Sequence, residues 1–154
     1  MDITLVILTK NEIEGVRATV PKIPKSAVQE IIAVDGNSTD GTKEFLREQG
    51  VRVIEQQKMG RGEAFRIAVR EAKGDTLIFF SPDGNEDPAD IPKFRPLLEG
   101  GADIVIASRM MRGAWNEEDG QWFRLRKWVN LSFGLAANIL WNRSGRYITD
   151  TING

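Results

Sequence analysis

The chain has 154 residues, 41% hydrophobic and 28% charged, with 21 Lys and Arg against 22 Asp and Glu. This is ordinary globular material of single-domain length, large enough to bury its own core, and a net charge of −1 gives no bulk attraction to nucleic acid. Cysteine and histidine are both absent, which excludes disulfides, zinc held by thiolate or imidazole, and Ser-His-Asp or Cys-His catalysis. Any metal must sit on oxygen ligands, which favours Mg²⁺, Mn²⁺ or Ca²⁺.

Ile3 to Leu8 reads as the first strand. It lacks the basic start and cleavage site of a signal peptide, so a cytosolic location is expected. Thr9-Lys10-Asn11-Glu12 is a polar turn, and Glu12 to Val20 a helix stopped by Pro21 and Pro24. Ile31 to Val34 is the second strand. Ser38-Thr39-Asp40-Gly41 starts a helix that runs to about Gln49, with Asp40 serving its N-terminus and Gly50 ending it. Val51 to Ile54 is a third strand, Gly60-Arg61-Gly62 a loop, and Glu63 to Lys73 a helix closed by Gly74. Leu77 to Phe80 is the fourth strand, Asp90 to Glu99 a helix with Pro92 in its first turn, and Ile104 to Ala107 a fifth strand. Strands alternating with helices predict an α/β fold, a mostly parallel sheet with helices on both faces.

Two of these strands run out into the same acidic turn, Asp35-Gly36-Asn37 and Asp83-Gly84-Asn85. Ligands in open α/β sheets bind just outside the carboxyl ends of the strands. Asp35 and Asp83 are therefore expected close together on the rim of one cleft, a site for a polar ligand with a metal. Beyond Met110 lies a loop with the acidic patch Glu117-Glu118-Asp119, then a long apolar helix from Trp122 to Trp141 with a basic start. Its uncharged part, Trp128 to Trp141, is too short to span a bilayer. Either it packs on the sheet or it lies in a membrane interface, where Trp at both ends and basic residues at one are at home.

Four segments together resemble the family 2 glycosyltransferases of GT-A fold: Leu8-Thr9-Lys10-Asn11-Glu12, Val34 through Thr42, Gly60-Arg61-Gly62-Glu63-Ala64, and Asp83 through Pro88. Within that family they are most similar to polyprenyl-phosphate or dolichyl-phosphate mannose and glucose synthases. The resemblance implies a three-layer GT-A domain over residues 1–154, with 1–109 binding the nucleotide sugar and 110–154 on the acceptor side. It implies a hexose transferred, with inversion, from a UDP- or GDP-sugar to a polyprenyl phosphate at the cytosolic membrane face. It places Thr9 and Glu12 beside the base and ribose, Asp35 on the base, and Arg61 on the nucleotide. It makes Asp83 the last aspartate of an Asp-x-Asp pattern that holds Mg²⁺ or Mn²⁺, with the amide of Asn85 beside it. Ser81 stands where the first aspartate is found, which leaves more of the coordination to phosphates and water. Arg109 is similar to a phosphate-clamping arginine, Arg124 and Arg126 to basic residues facing a lipid phosphate, and Asp150 to an aspartate that orients or deprotonates the acceptor. Members continue past the motif in which Gly154 falls, so further residues are expected. The rival readings are a transferase of the same fold with a soluble sugar or protein acceptor, and a nucleotide-binding domain with weak or no catalysis.

Overall fold

A computed structural model describes residues 1–107 and the helical positions 129, 132, 133, 135, 136 and 138–140. They belong to two compact units, Met1–Val105 and Ile106–Gly154. In the first, four parallel strands form one sheet: β1 (Ile3–Thr9), β2 (Glu30–Asp35), β3 (Arg52–Glu55) and β4 (Thr76–Phe80), in the order β3-β2-β1-β4. Helices α1 (Ile13–Thr19), α2 (Thr42–Glu48) and α3 (Arg61–Glu71) connect them, and α4 (Ile91–Glu99) follows β4.

The layering follows from handedness. Parallel crossovers are right-handed. The steps from β1 to β2 and from β2 to β3 move the same way across the sheet, so α1 and α2 share a face. The step from β3 to β4 returns past β1, so α3 covers the other face. The side chains agree: Ile3, Leu5 and Ile7 of β1 pack with Val16 and Val20, with Leu46 of α2 and with Ile91 of α4, whereas Val6, Ile32 and Val34 pack with Ala64, Ile67 and Ala68 of α3. Alternation along β1 thus feeds two cores, and each fully buried Val, Leu or Ile contributes about 1.5–3 kcal/mol.

Helix α2 ends as its sequence predicts. Gly50 has φ 77°, its N–H donates to the Arg47 carbonyl, and the N–H of buried Val51 donates to the Leu46 carbonyl. That is a Schellman motif, and it needs a residue free to adopt the left-handed region. Two other expectations are corrected. Arg61 is not in a loop but in the first turn of α3. Gly60, at φ 129°, is the cap, and its carbonyl accepts from the N–H groups of Glu63 and Ala64 at 3.2 Å each. The run Ile104–Ala107 forms no strand: it has no ladder partner among the described residues, and Ile104 and Ile106 are 77% and 67% exposed. A short apolar run becomes a strand only where a neighbour takes its N–H and C=O groups, and its pattern does not supply that neighbour.

The amino edge of the sheet is tied at Glu30, which accepts from the Lys73 N–H and from the Thr4 hydroxyl and pairs with Arg52 at 3.2 Å. Burial pushes its carboxyl up, but those hydrogen bonds and the guanidinium charge outweigh it, and the net shift is below the usual 4.5. A depressed carboxylate stabilises the fold above its unfolded value, and that contribution is lost as pH falls through the folded value. Thermal melts of Glu30→Gln against wild type are therefore expected to show reduced stability near neutral pH, with the gap closing as pH drops below about 4.5. A gap that stays constant on acidification would contradict this.

In the second unit the described positions from 129 onward are helical. Val129, Phe133, Leu135, Ile139 and Leu140 are exposed. No helix among the described residues is long and apolar enough to cross a membrane.

Candidate functional site

β1 is the strand at which the order reverses, with β2 on one side and β4 on the other. In such sheets the ligand crevice opens at this switch point. The segments leaving β1 and β4, Thr9–Glu12 and Ser81–Glu86, therefore flank the crevice.

The turn after β1 is held by the turn after β2 through two relays of the same form. In the first, the Asn11 N–H donates to the Ser38 hydroxyl at 2.7 Å, and that hydroxyl donates to the Asp35 carboxylate at 2.6 Å. In the second, the Glu12 N–H donates to the Thr42 hydroxyl at 3.0 Å, which donates to Asp40 at 2.6 Å. Asp40 also accepts from the N–H groups of Ile13 and Thr42, so it serves the N-termini of α1 and α2 together. Burial pushes the Asp40 carboxyl up, and the Thr42 hydroxyl with the two backbone donors outweighs it, leaving it below its usual value. The Asn11 side chain closes the arrangement by accepting from the Thr39 N–H at 2.9 Å. Asn11 itself sits at φ 53°, a region asparagine tolerates better than most residues.

Asp35 and Asp83 are not side by side. They leave strands separated by β1, which at the usual spacing puts about 10 Å of sheet between them. Asp35 is also fully buried, accepting from the Thr9 hydroxyl at 2.9 Å and from the Ser38 N–H and hydroxyl at 2.7 and 2.6 Å. A carboxylate offers about four acceptor sites, so most of its capacity is spent inside the protein. The structure places Asp35 beneath the β1 turn, with Thr9 buried against it.

The acidic residue brought to the Asp83 loop is Glu12 instead. The point where a Gly15 side chain would begin lies against the Pro82 carbonyl and 3.6 Å from a Glu12 carboxylate oxygen. Within the loop, Asp83 is exposed and one of its oxygens accepts from the Asn85 N–H at 3.0 Å. Glu86 accepts from the Ser81 N–H at 2.8 Å, and Gly84 sits at φ 86°. Arg61 and Lys10 are exposed, and the ion pairs among the described residues take in neither of them, nor Glu12, nor Asp83. At this edge of the sheet the described Glu12, Asp83, Lys10 and Arg61 therefore keep their charges outside the ion pairs of the fold. Arg109, Arg124, Arg126 and Asp150 lie outside the described residues.

The donor set at the loop is hard oxygen. Among the described residues no three acidic side chains converge to hold an ion by themselves. Asp83 with the Asn85 amide fits a cation that takes the rest of its shell from phosphates and water, as Mg²⁺ does. Sequence reasoning missed Gly15. A cluster such as Ser38-Thr39-Asp40 does advertise side chain to backbone bonding, whereas the nearness of Gly15 to Pro82 has no local signal.

The pattern of glycosyl transferase family 2 matches residues 4–152. A dolichyl-phosphate hexose transferase of Haloferax volcanii is 30% identical over 155 residues, covering 99% of this chain and 64% of that protein. A dolichol-phosphate mannosyltransferase of Pyrococcus furiosus is 33% identical over 122 residues, covering 73% of this chain and 34% of that protein. The solved structure of glucosyl-3-phosphoglycerate synthase from Mycobacterium tuberculosis with Mn²⁺, UDP and glucosyl-3-phosphoglycerate aligns at 30% identity and a TM-score of 0.54, over 65% of this chain and 40% of that one. The chain therefore spans between about a third and two thirds of the length of these relatives. With the family pattern covering nearly all of the chain and its parallel sheet matching that structure, the chain belongs to glycosyl transferase family 2 and has the GT-A fold.

Proposed function

We propose that this chain binds the donor in a hexosyltransferase that moves a hexose, with inversion, from a UDP- or GDP-sugar to a polyprenyl phosphate at the cytosolic face of a membrane. The observation that carries this reading is the exposed Asp83, outside the ion pairs among the described residues, on the loop that leaves β4 next to the strand whose turn is pre-ordered by Asp35 and Asp40. The lipid acceptor is supported by the names of the Haloferax and Pyrococcus relatives.

In this reading Thr9 and Glu12 lie beside the base and ribose, and Asp35 orders that turn from below. Arg61 meets the diphosphate. Asp83 and Asn85 hold Mg²⁺ or Mn²⁺, which when bound offsets charge on the departing nucleoside diphosphate. Arg109 clamps a phosphate, Arg124 and Arg126 meet the acceptor phosphate, and Asp150 orients the acceptor. An ionised phosphate is already nucleophilic, so the acceptor needs positioning more than deprotonation.

Calorimetric titration of UDP, GDP and their glucose and mannose derivatives, with Mn²⁺ and then with EDTA, tests the donor site. Metal-dependent binding of one nucleotide is the expected result, and no binding of any would sink the reading. A second reading, a soluble acceptor, draws on the mycobacterial synthase, whose complex contains glucosyl-3-phosphoglycerate. Sedimentation with anionic liposomes separates the two: binding favours the lipid acceptor, and its absence the soluble one.

A further inference from the structure

We infer that Gly15 is a positioning residue for the Asp83 loop, its missing side chain being what seats the Pro82 carbonyl on α1. This rests on the donor-site reading above. A Cβ built at Gly15 would overlap the Pro82 carbonyl oxygen outright and lie 3.0 Å from its carbon. The atoms it meets are backbone, which cannot swing aside as a flexible side chain can. Gly15 is not there for its φ, since it is absent from the positive-φ residues. Close approach is the only demand made of it.

The contact joins two parts that bonding along the chain leaves independent. α1 begins at Ile13, whose N–H is held by Asp40, while Glu12 before it is held by Thr42. Pro82 immediately precedes Asp83, is buried, and has its φ set by its ring. On the far side of the loop Glu86 holds the Ser81 N–H at 2.8 Å. The Asp83 carboxylate is therefore located by α1 beneath it and by Glu86 at the loop's start. A methyl group at Gly15 must push α1 and Pro82 apart, and Asp83 moves with Pro82.

A matched control exists at the opposite edge of the sheet. A Cβ at Gly74 would overlap the Asp2 carbonyl oxygen and lie 2.9 Å from the Thr4 nitrogen, the same kind of backbone clash far from the crevice. The experiment compares Gly15→Ala with Gly74→Ala in the full-length protein, reading the melting temperature and the Mn²⁺ concentration that half-saturates binding of whichever nucleotide the wild type takes. Both variants are expected to melt lower. Only Gly15→Ala is expected to require more Mn²⁺, by about tenfold, since a misplacement near 1 Å in a site of this kind is costly. An unchanged Mn²⁺ requirement in Gly15→Ala, or an equal rise in Gly74→Ala, would overturn the inference. Should Gly15→Ala fail to fold, hydrogen exchange on the wild type decides. Nucleotide with Mn²⁺ is expected to slow exchange in both 81–86 and α1, and protection of the loop alone refutes the coupling. If the wild type binds no nucleotide, the donor-site reading fails and this inference with it, whereas wild-type binding with no Gly15 effect removes only the inference.

Discussion

Asp83→Asn is expected to lower kcat for metal-dependent transfer by about 10²–10³-fold, in a protein that melts at the wild-type temperature. The substitution is informative because of what it leaves alone. One oxygen of Asp83 accepts from the Asn85 N–H at 3.0 Å, and the asparagine carbonyl can go on accepting it. Asp83 is exposed and belongs to no ion pair among the described residues, so the loop loses a charge and little else. If the carboxylate holds the cation on which the departing diphosphate depends, transfer falls and the residual rate no longer responds to Mn²⁺. A variant with wild-type kcat and an unchanged Mn²⁺ response would show that the ion, if one is used, is held elsewhere. The melting temperature guards against reading a folding defect as a catalytic one.

Asp35→Ala is expected to destabilise the domain by about 3–5 kcal/mol, seen as a lower urea midpoint with an unchanged slope. The buried carboxylate accepts from the Thr9 hydroxyl and from both the N–H and the hydroxyl of Ser38. Alanine leaves those three donors without their acceptor in a place water does not reach, and an unmet buried donor costs about 1–3 kcal/mol. Asp35→Asn keeps one acceptor oxygen and is expected to fall between. This separates two roles for the same residue. If Asp35 acts chiefly by accepting a hydrogen bond from the base, Asp35→Ala should fold normally and lose only nucleotide affinity. If it holds the β1 turn from below, stability and affinity fall together.

Much of the fold was legible because it rests on short-range physics. The four strands of the sheet lie within a residue of the runs read for them, and for β1 and β2 the reason is that a strand buried on both faces is written as a continuous apolar run. Gly50 closes α2 as a C′ glycine because the left-handed region excludes most alternatives. The fifth strand was not legible, because Ile104–Ala107 has the right residues but no ladder partner among the described residues. Arg61 was misplaced for a local reason: two flanking glycines suggested a loop, but Gly60 alone turns the chain and Gly62 is carried inside α3.

By itself, then, the sequence determined the class of fold, the edge of the sheet on which a ligand is expected, and the chemistry open to it, because strand periodicity, strand-end turns and the absence of His and Cys are properties of the chain alone. Which residues meet at that edge was decided only in three dimensions. The aspartates of two identical-looking turns, Asp35-Gly36-Asn37 and Asp83-Gly84-Asn85, have opposite fates, Asp35 buried with three donors on it and Asp83 exposed and outside the ion pairs among the described residues. β2 and β4 both neighbour β1, but they meet different partners at its end: the turn after β2 hydrogen-bonds the turn after β1, whereas the loop after β4 is met by the backbone of α1 at Gly15. No spacing along the chain encodes that adjacency, because it arises from the return crossover that sets β4 against β1.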